Sequence, residues 1–263
     1  MVHSGWRTAL VVSAIPALII AVTWQRMKKS SALLFNTESA NAIRKHTGEE
    51  MAKQAFEPFK NEIKSSGHLR STSFILLTIS YALQGYVGYI FVSWFYIYLV
   101  EERKFGLLNG AWMSSLPWVL SIISIPLGGW ISDRLAAGKL GAVKGSRIVP
   151  ITGMALSGVL ISVGAHTGSA IIAAITLAFA TAFVLCVEGP FWAMMMNISG
   201  KNSGKAGGIM NMGSNIGGLI SPTLTPLIAS FIGWENALHV AAVLSVIAAI
   251  LWLGIKPGTN EKR

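Results

Sequence analysis

Lysine and arginine are absent from six long runs of this sequence: Thr8 to Trp24, Ser71 to Val100, Phe105 to Ser132, Ile148 to Val187, Ala206 to Gly233 and Asn236 to Ile255. A bilayer has a hydrocarbon core about 30 Å thick, which takes about 20 apolar residues per spanning helix. The fourth run is too long for one crossing. It contains the breaker His166-Thr167-Gly168-Ser169 and therefore divides into two helices joined by a very short turn. Spanning segments must satisfy their backbone groups internally, so the pattern predicts an all-α membrane protein with seven transmembrane helices.

Composition agrees and removes other classes. Apolar residues make up 52% of the chain and charged residues 12%, whereas soluble domains carry about 25% charged residues. A soluble enzyme is excluded on that ground. The net charge of +10 does not mark a nucleic-acid binder, because the charges form no basic face with interleaved aromatics. They report orientation instead. Eighteen Lys and Arg residues fall in segments 25–70, 134–147, 201–205 and 256–263, and only Arg7, Arg103 and Lys104 fall in the alternate loops. The positive-inside rule then predicts that the basic loops and the C-terminus are cytoplasmic. The first run has no clearly basic segment before it and no small-residue cleavage site, so it reads as an internal helix and not as a signal peptide. Cys186, the single cysteine, lies at the end of a span and has no disulfide partner.

Four segments follow from this. Residues 1–24 hold one transmembrane helix, and residues 25–70 form a polar cytoplasmic loop with nine basic and five acidic residues. Within that loop the pattern from Glu38 to Lys64 fits either a surface amphipathic helix or a loose linker. Residues 71–256 form a six-helix bundle divided three plus three, as in an inverted repeat. Residues 257–263 are a cytoplasmic tail. Gly213 and Gly217 form a G-x-x-x-G pair suited to close helix packing. Pro117, Pro126, Pro190, Pro222 and Pro226 predict kinks and not helix ends, with neighbouring groups satisfying the freed carbonyls.

The third run ends in Gly128-Gly129-Trp130-Ile131-Ser132-Asp133-Arg134-Leu135. Its glycines permit tight helix contact, Asp133 can face the positive N-terminus of the next helix, and Arg134 can pair across the gap. Ordinary cytoplasmic anchoring by Arg134 explains part of the same pattern. With Gly129, Asp133 and Arg134 in this spacing, the chain resembles the major facilitator superfamily, whose halves each carry a G-x-x-x-D-R-type loop between their second and third helices. The run from Gly85 through Tyr86, Tyr89 and Trp94 to Leu99, with Leu116-Pro117 after it, is similar to the seventh and eighth helices of the anion:cation symporter branch. Glu188-Gly189-Pro190-Phe191-Trp192-Ala193 and the segment Gly207 to Gly218, then Ser221-Pro222, are similar to its tenth and eleventh helices.

The resemblance implies a fold and an activity. Gly5-Trp6-Arg7 with the first run corresponds to the sixth helix, residues 25–70 to the central cytoplasmic loop and the rest to the C-terminal half, leaving the first five helices of the family absent. The loop departs from the family pattern: the usual Gly-Arg-Arg tail is replaced by Gly138-Lys139 and a longer basic stretch. The implied activity is secondary transport by alternating access of a small organic anion such as a sugar acid, with H⁺ or Na⁺ as coupling ion, in a bacterial inner membrane. The expected partners are the lipid bilayer, the anion, the ion and an N-terminal half of the carrier. No cofactor, metal or nucleic acid is expected.

Two stripes of residues suit a polar cavity. Gly207, Asn211, Ser214, Gly218 and Ser221 recur at helical spacing, as do Tyr86, Tyr89, Ser93 and Tyr96. Hydroxyl and amide groups of this kind bond a hydroxylated solute, although polar side chains in membranes also bond neighbouring helices. Glu188 is the only acidic residue inside a span, where a carboxylate must be protonated, paired or wet. Thr181 and Trp192 share its face. The resemblance makes Trp192 part of the central site with Asn211 opposite, and places the coupling carboxylates in other helices. The candidate cavity residues are therefore Tyr86, Tyr89, Glu188, Trp192, Asn211 and Asn215. No Lys or Arg lies within a span, so these helices lack the charge-assisted partner that a carboxylate substrate needs. By themselves they should bind an anion poorly.

Other readings compete. A seven-helix receptor or retinal protein shares the span count, but the last run, Asn236 to Ile255, has no Lys for a Schiff base. An intramembrane enzyme would need paired catalytic groups at depth, and His166 and His239 lie near span ends with no H-E-x-x-H present. A non-transporting remnant, or one half of a split carrier, shares every feature above.

Overall fold

The computed structural model describes Thr23 and residues 69–256. The chain divides into two units, Met1–Ser65 and Ser66–Arg263, and the elements below belong to the second. The expectations for residues 1–22 and 24–68 and for the tail 257–263 lie outside the described residues.

Every regular element among the described residues is helical: α1 (Thr72–Ser93), α2 (Phe95–Ile97) running into a π turn (Tyr98–Glu102), α3 (Leu107–Ala137), α4 (Gly141–His166), α5 (Ala170–Cys186), α6 (Glu188–Ser199) and α7 (Ser203–Leu251). Among the described residues, four stretches are long and apolar enough to cross a membrane: Thr72–Ser93, Leu107–Ala137, Gly141–His166 and Ala170–Leu251. The last holds 82 residues, which at 1.5 Å per residue would reach about 120 Å, or about four bilayer cores. It is broken at Val187, at the 3-10 turn Gly200–Asn202 and at Gly233, where φ is 86°.

Local chemistry sets the helix boundaries. Ser71 caps α1 by accepting from the Phe74 N–H at 3.3 Å, and Ser169 caps α5 by accepting from Ile172 N–H at 3.4 Å. These hydroxyls satisfy backbone donors that a first helical turn leaves orphaned. At the other end of the turn, α4 stops at His166, as the breaker predicts. Its last carbonyls are taken by one side chain. Arg103 donates to Thr167 O at 2.6 Å, Ala165 O at 2.7 Å and Gly164 O at 2.9 Å, while its Nε meets the Tyr98 hydroxyl at 2.6 Å. A guanidinium at a helix C-terminus also opposes the partial negative charge there. Arg103 thus has a packing role beyond its value as a topology marker.

Prolines behave in two ways. Helices α3 and α7 continue through Pro117, Pro126, Pro222 and Pro226. Pro226 cannot donate to the carbonyl of Pro222 four residues earlier, and that oxygen instead accepts from Trp94 Nε1 at 3.0 Å. Pro190 marks a kink, as expected: Val187, the one residue between α5 and α6, keeps right-handed helical backbone at φ −85° and ψ −5°. Pro190 stands in the first turn of α6, after α5 has ended at Cys186, a position where the missing N–H costs nothing. The resulting break makes Glu188 the first residue of a new helix.

The most extensive pairing is α1 with α7. Gly213 and Gly217 face α1: a Cβ on Gly213 would stand 3.0 Å from Thr78 Cγ2, and one on Gly217 would overlap the Ala82 carbonyl. Buried hydroxyls add cross-links, with Ser80 Oγ donating to Ala248 O at 2.9 Å and Ser245 Oγ to Met154 O at 2.7 Å. Two apolar clusters fill the interior, one around Leu77, Met154, Phe191 and Trp252 and the other around Val87, Leu99, Leu177 and Val184. Helix α3 lies outermost. Only 17% of its most apolar window is buried, against 50% for α1, so its large side chains present an apolar surface matched to lipid or to another helical surface.

Candidate functional site

Two cavities compete for attention on size. The larger, about 360 Å³, lies among α3, α4 and α5 and is lined by side chains such as Leu120, Ile123, Leu127 and Phe179. It offers a polar solute almost no donor or acceptor. The smaller, about 270 Å³, lies among α1, α3, α5, α6 and α7 and is lined by Tyr81, Gln84, Tyr89, Trp118, Thr181, Glu188, Asn211, Ser214 and Asn215 together with two glycines, Val92 and Leu185. Convergent polar groups in a concave, partly apolar site are the mark of ligand recognition. The second cavity is therefore the candidate site.

Glu188 is the centre of its hydrogen bonding. The Tyr81 hydroxyl and Trp192 Nε1, the latter at 3.0 Å, donate to Oε1, and Gln84 Nε2 donates to Oε2 at 3.3 Å. Tyr81 and Gln84 are 4% exposed. Indole N–H can only donate, so Oε1 must accept. The same Gln84 nitrogen lies 3.3 Å from Val184 O, which fixes the amide with its nitrogen toward both acceptors. The carboxylate is thus paired without a cation. Its position follows from local structure: the α5 to α6 break sets Glu188 at the head of α6, and Trp192 stands one turn on, on the same face. Tyr81 in turn packs between Phe191, at 4.9 Å between centroids, and Trp192, at 6.4 Å.

The opposite wall is softer. Tyr89 is 38% exposed, its hydroxyl lies 3.4 Å from Asn215 Oδ1, and Asn215 Nδ2 donates to Asn211 O at 2.9 Å. Gly218 is required here, because a Cβ on it would stand 2.7 Å from the Tyr89 ring. Asn211 and Asn215 are both exposed on the cavity side of α7. Among the described residues, no Lys or Arg lines the cavity.

Of the residues singled out in the sequence, Tyr89, Glu188, Asn211 and Asn215 are brought together on this cavity. Trp192 stands behind it as a donor to Glu188. Tyr86 is not brought there: it is 5% exposed and its hydroxyl lies 3.1 Å from Thr225 Oγ1, between α1 and α7. Of the two stripes, Ser214 joins the lining, Gly207 lies under Trp192, and Ser221 is fully buried. Tyr81, Gln84 and Trp118 were missed. Gln84, the only carboxamide in the run Ser71 to Val100, was the available signal.

At the other end of the bundle, Asp133 and Arg134 belong to the last turn of α3. Asp133 lines a 150 Å³ cleft with Ala142 and Ser146 from the first turns of α4 and Asn197 from α6. The Arg134 guanidinium lies 5.1 Å from the centroid of the Trp130 ring. Gly129 meets the α6 glycine, where a Cβ on Gly189 would stand 3.5 Å from Gly129 Cα.

Comparison with known proteins decides the family. The Major Facilitator Superfamily model matches residues 1–202 and 135–263. The chain belongs to the Major Facilitator Superfamily. It is 26% identical over 251 residues to the hexuronate transporter of Bacillus subtilis, covering 94% of this chain and 57% of that protein. It is 34% identical over 169 residues to the probable galactarate/D-glucarate transporter of Escherichia coli, covering 63% of this chain and 37% of that protein. To the probable sulfoacetate transporter of Cupriavidus necator it is 25% identical over 261 residues, covering 97% of this chain and 58% of that protein. These relatives are named as a transporter of hexuronate and as probable transporters of galactarate/D-glucarate and of sulfoacetate, and the chain spans little more than half the length of the first and third. It is a multi-pass integral membrane protein.

Proposed function

We propose that residues 71–256 are the C-terminal six-helix bundle of a secondary transporter that moves a small organic anion, of the sugar-acid class, by alternating access with H⁺ or Na⁺. The observation that carries this reading is the polar cavity, where Tyr89, Asn211, Asn215 and Glu188 converge from three helices. Hydroxyl and amide groups suit the hydroxyls of a sugar acid. Similarity to proteins named for hexuronate and for galactarate/D-glucarate supports the class. The breaks at Gly200–Asn202 and at Gly233 support division of Ala170–Leu251 into three crossings, with the Val187 break lying inside the first of them, which gives six in residues 71–256; the seventh is the apolar run Thr8 to Trp24 read from the sequence.

Among the described residues the cavity has no cation, and a carboxylate in a site of low dielectric needs one. We assign that charge, and the coupling group, to an N-terminal bundle facing the exposed side of Tyr89, Asn211 and Asn215. Rocking of one bundle against the other would then open the site to each face in turn. Glu188, already held by three donors, orders Tyr81, Gln84 and Trp192 in this scheme and does not carry the coupled proton. The basic loops and the C-terminus face the cytoplasm, in a bacterial inner membrane.

Proteoliposomes supply the test. With an N-terminal bundle of a sugar-acid carrier added as a second polypeptide, labelled hexuronate or glucarate should accumulate saturably under an imposed proton or sodium gradient. The chain alone should give background. Failure to accumulate any sugar acid with the bundle present would reject the substrate class, and robust uptake by the chain alone would reject the half-site reading.

A further inference from the structure

At the end of the bundle away from the α3 to α4 turn, three metal-ligating side chains meet outside the cavity. His166 is the last residue of α4. Glu235 and His239 stand one turn apart on α7, just beyond the point where Gly233 takes φ 86° and re-aims the chain, so both project from one face. His166 Nδ1 lies 2.7 Å and His239 Nε2 3.7 Å from the same carboxylate oxygen, Glu235 Oε1. All three ligand atoms fall within 4.8 Å of one another.

We propose that His166, Glu235 and His239 bind a divalent transition-metal ion of the Zn²⁺ class, which ties the end of α4 to the last segment of α7. Three observations carry the assignment. The donor set is two imidazole nitrogens and one carboxylate oxygen, the combination that suits zinc with an open fourth position for water. A metal held at about 2.0–2.2 Å from each ligand separates the ligand atoms by roughly 3.5 Å, and the present spacings bracket that value, so rotamer adjustment without backbone movement closes the site. Finally, the second nitrogen of His239, Nδ1, lies 3.4 Å from Ser162 Oγ on α4. A hydrogen bond on the far nitrogen is how proteins orient an imidazole that binds metal. The side chains of His166, Glu235 and His239 are 83%, 51% and 38% exposed, so an ion reaches them directly from water. A simple ion pair would need one imidazole; here two address a single oxygen.

The test uses the full chain, purified in detergent without a polyhistidine tag. Titration with Co²⁺ should give the visible ligand-field absorption of a low-coordinate site at one equivalent per chain, and Zn²⁺ should displace it. Mg²⁺, which demands octahedral oxygen coordination, should not. His166→Ala and His239→Ala should each weaken Zn²⁺ binding at least tenfold, and Ser162→Ala by roughly tenfold through loss of imidazole orientation. His46→Ala and His68→Ala should leave it unchanged. Saturable binding that is equal in the wild-type chain and the His166→Ala/His239→Ala double variant would overturn the proposal, as would no binding at all. Because none of the three ligands is buried, unchanged circular dichroism of the variants would separate loss of the site from loss of the fold. None of these readouts depends on transport, so the outcome is independent of the substrate reading above.

Discussion

Glu188 draws three donors onto two oxygens, and its surroundings give sharp expectations for single substitutions. In Glu188→Gln the amide oxygen can still accept from Tyr81 and Trp192, but its NH₂ then opposes Gln84 Nε2. Rotating Gln84 only transfers the conflict to Val184 O. One mismatched contact survives either way, at a cost of about 1–3 kcal/mol, and thermal unfolding of the variant in detergent should show that loss. The two tyrosines on α1 separate packing from recognition. Tyr86→Phe removes a buried bond to Thr225 and should destabilise the chain by about 1 kcal/mol while leaving the KM for uptake by the reconstituted carrier unchanged. Tyr89→Phe removes only a long bond at the cavity edge, so it should alter stability by less than about 0.5 kcal/mol and raise KM severalfold. The reverse pattern would place the substrate on the Tyr86 side.

At the level of helices, the α1 to α7 seam depends on the absence of side chains at chosen points of α7. Gly217→Ala drives a methyl group into the Ala82 carbonyl, and overpacking of this kind costs about 1–3 kcal/mol. Gly208 lies in the same helix with open space around its Cα, so Gly208→Ala should be neutral or stabilising by up to about 1 kcal/mol. Comparing the two melting temperatures tests the seam and controls for helix propensity. The phase of α1 shows where periodicity runs out. Tyr81, Gln84, Gly88, Tyr89 and Val92 form the face that lines the cavity, while Tyr86 starts a stripe rotated from it, and Tyr89 stands on the border of both. Spacing identifies each stripe but cannot say which one a neighbouring helix covers.

Across the whole molecule, sidedness is the expectation most open to direct measurement. In a Cys186→Ser background, Gly168→Cys in the α4 to α5 turn should react with an impermeant maleimide added to intact cells. Lys139→Cys between α3 and α4 should react only after permeabilisation, and the opposite result would invert the topology. That expectation comes from charge alone, since eighteen of the 21 Lys and Arg residues fall on one set of loops. Helical class, membrane residence, the turn at His166 and the small and polar stripe of α7 are likewise properties of the sequence by itself. They rest on composition and on periodicity within one segment, where each residue's contribution is independent of distant partners. Tertiary structure decided the rest: that Tyr81 and Gln84 join Glu188, that Tyr86 turns away, that Trp94 satisfies Pro222 and that His166 meets Glu235 and His239. These pairings link residues 65 or more positions apart. For the pairs inside the spans no aqueous phase competes, so the helix that packs alongside determines which partner each one finds; the His166 cluster at the bundle end is instead set by where Gly233 re-aims α7.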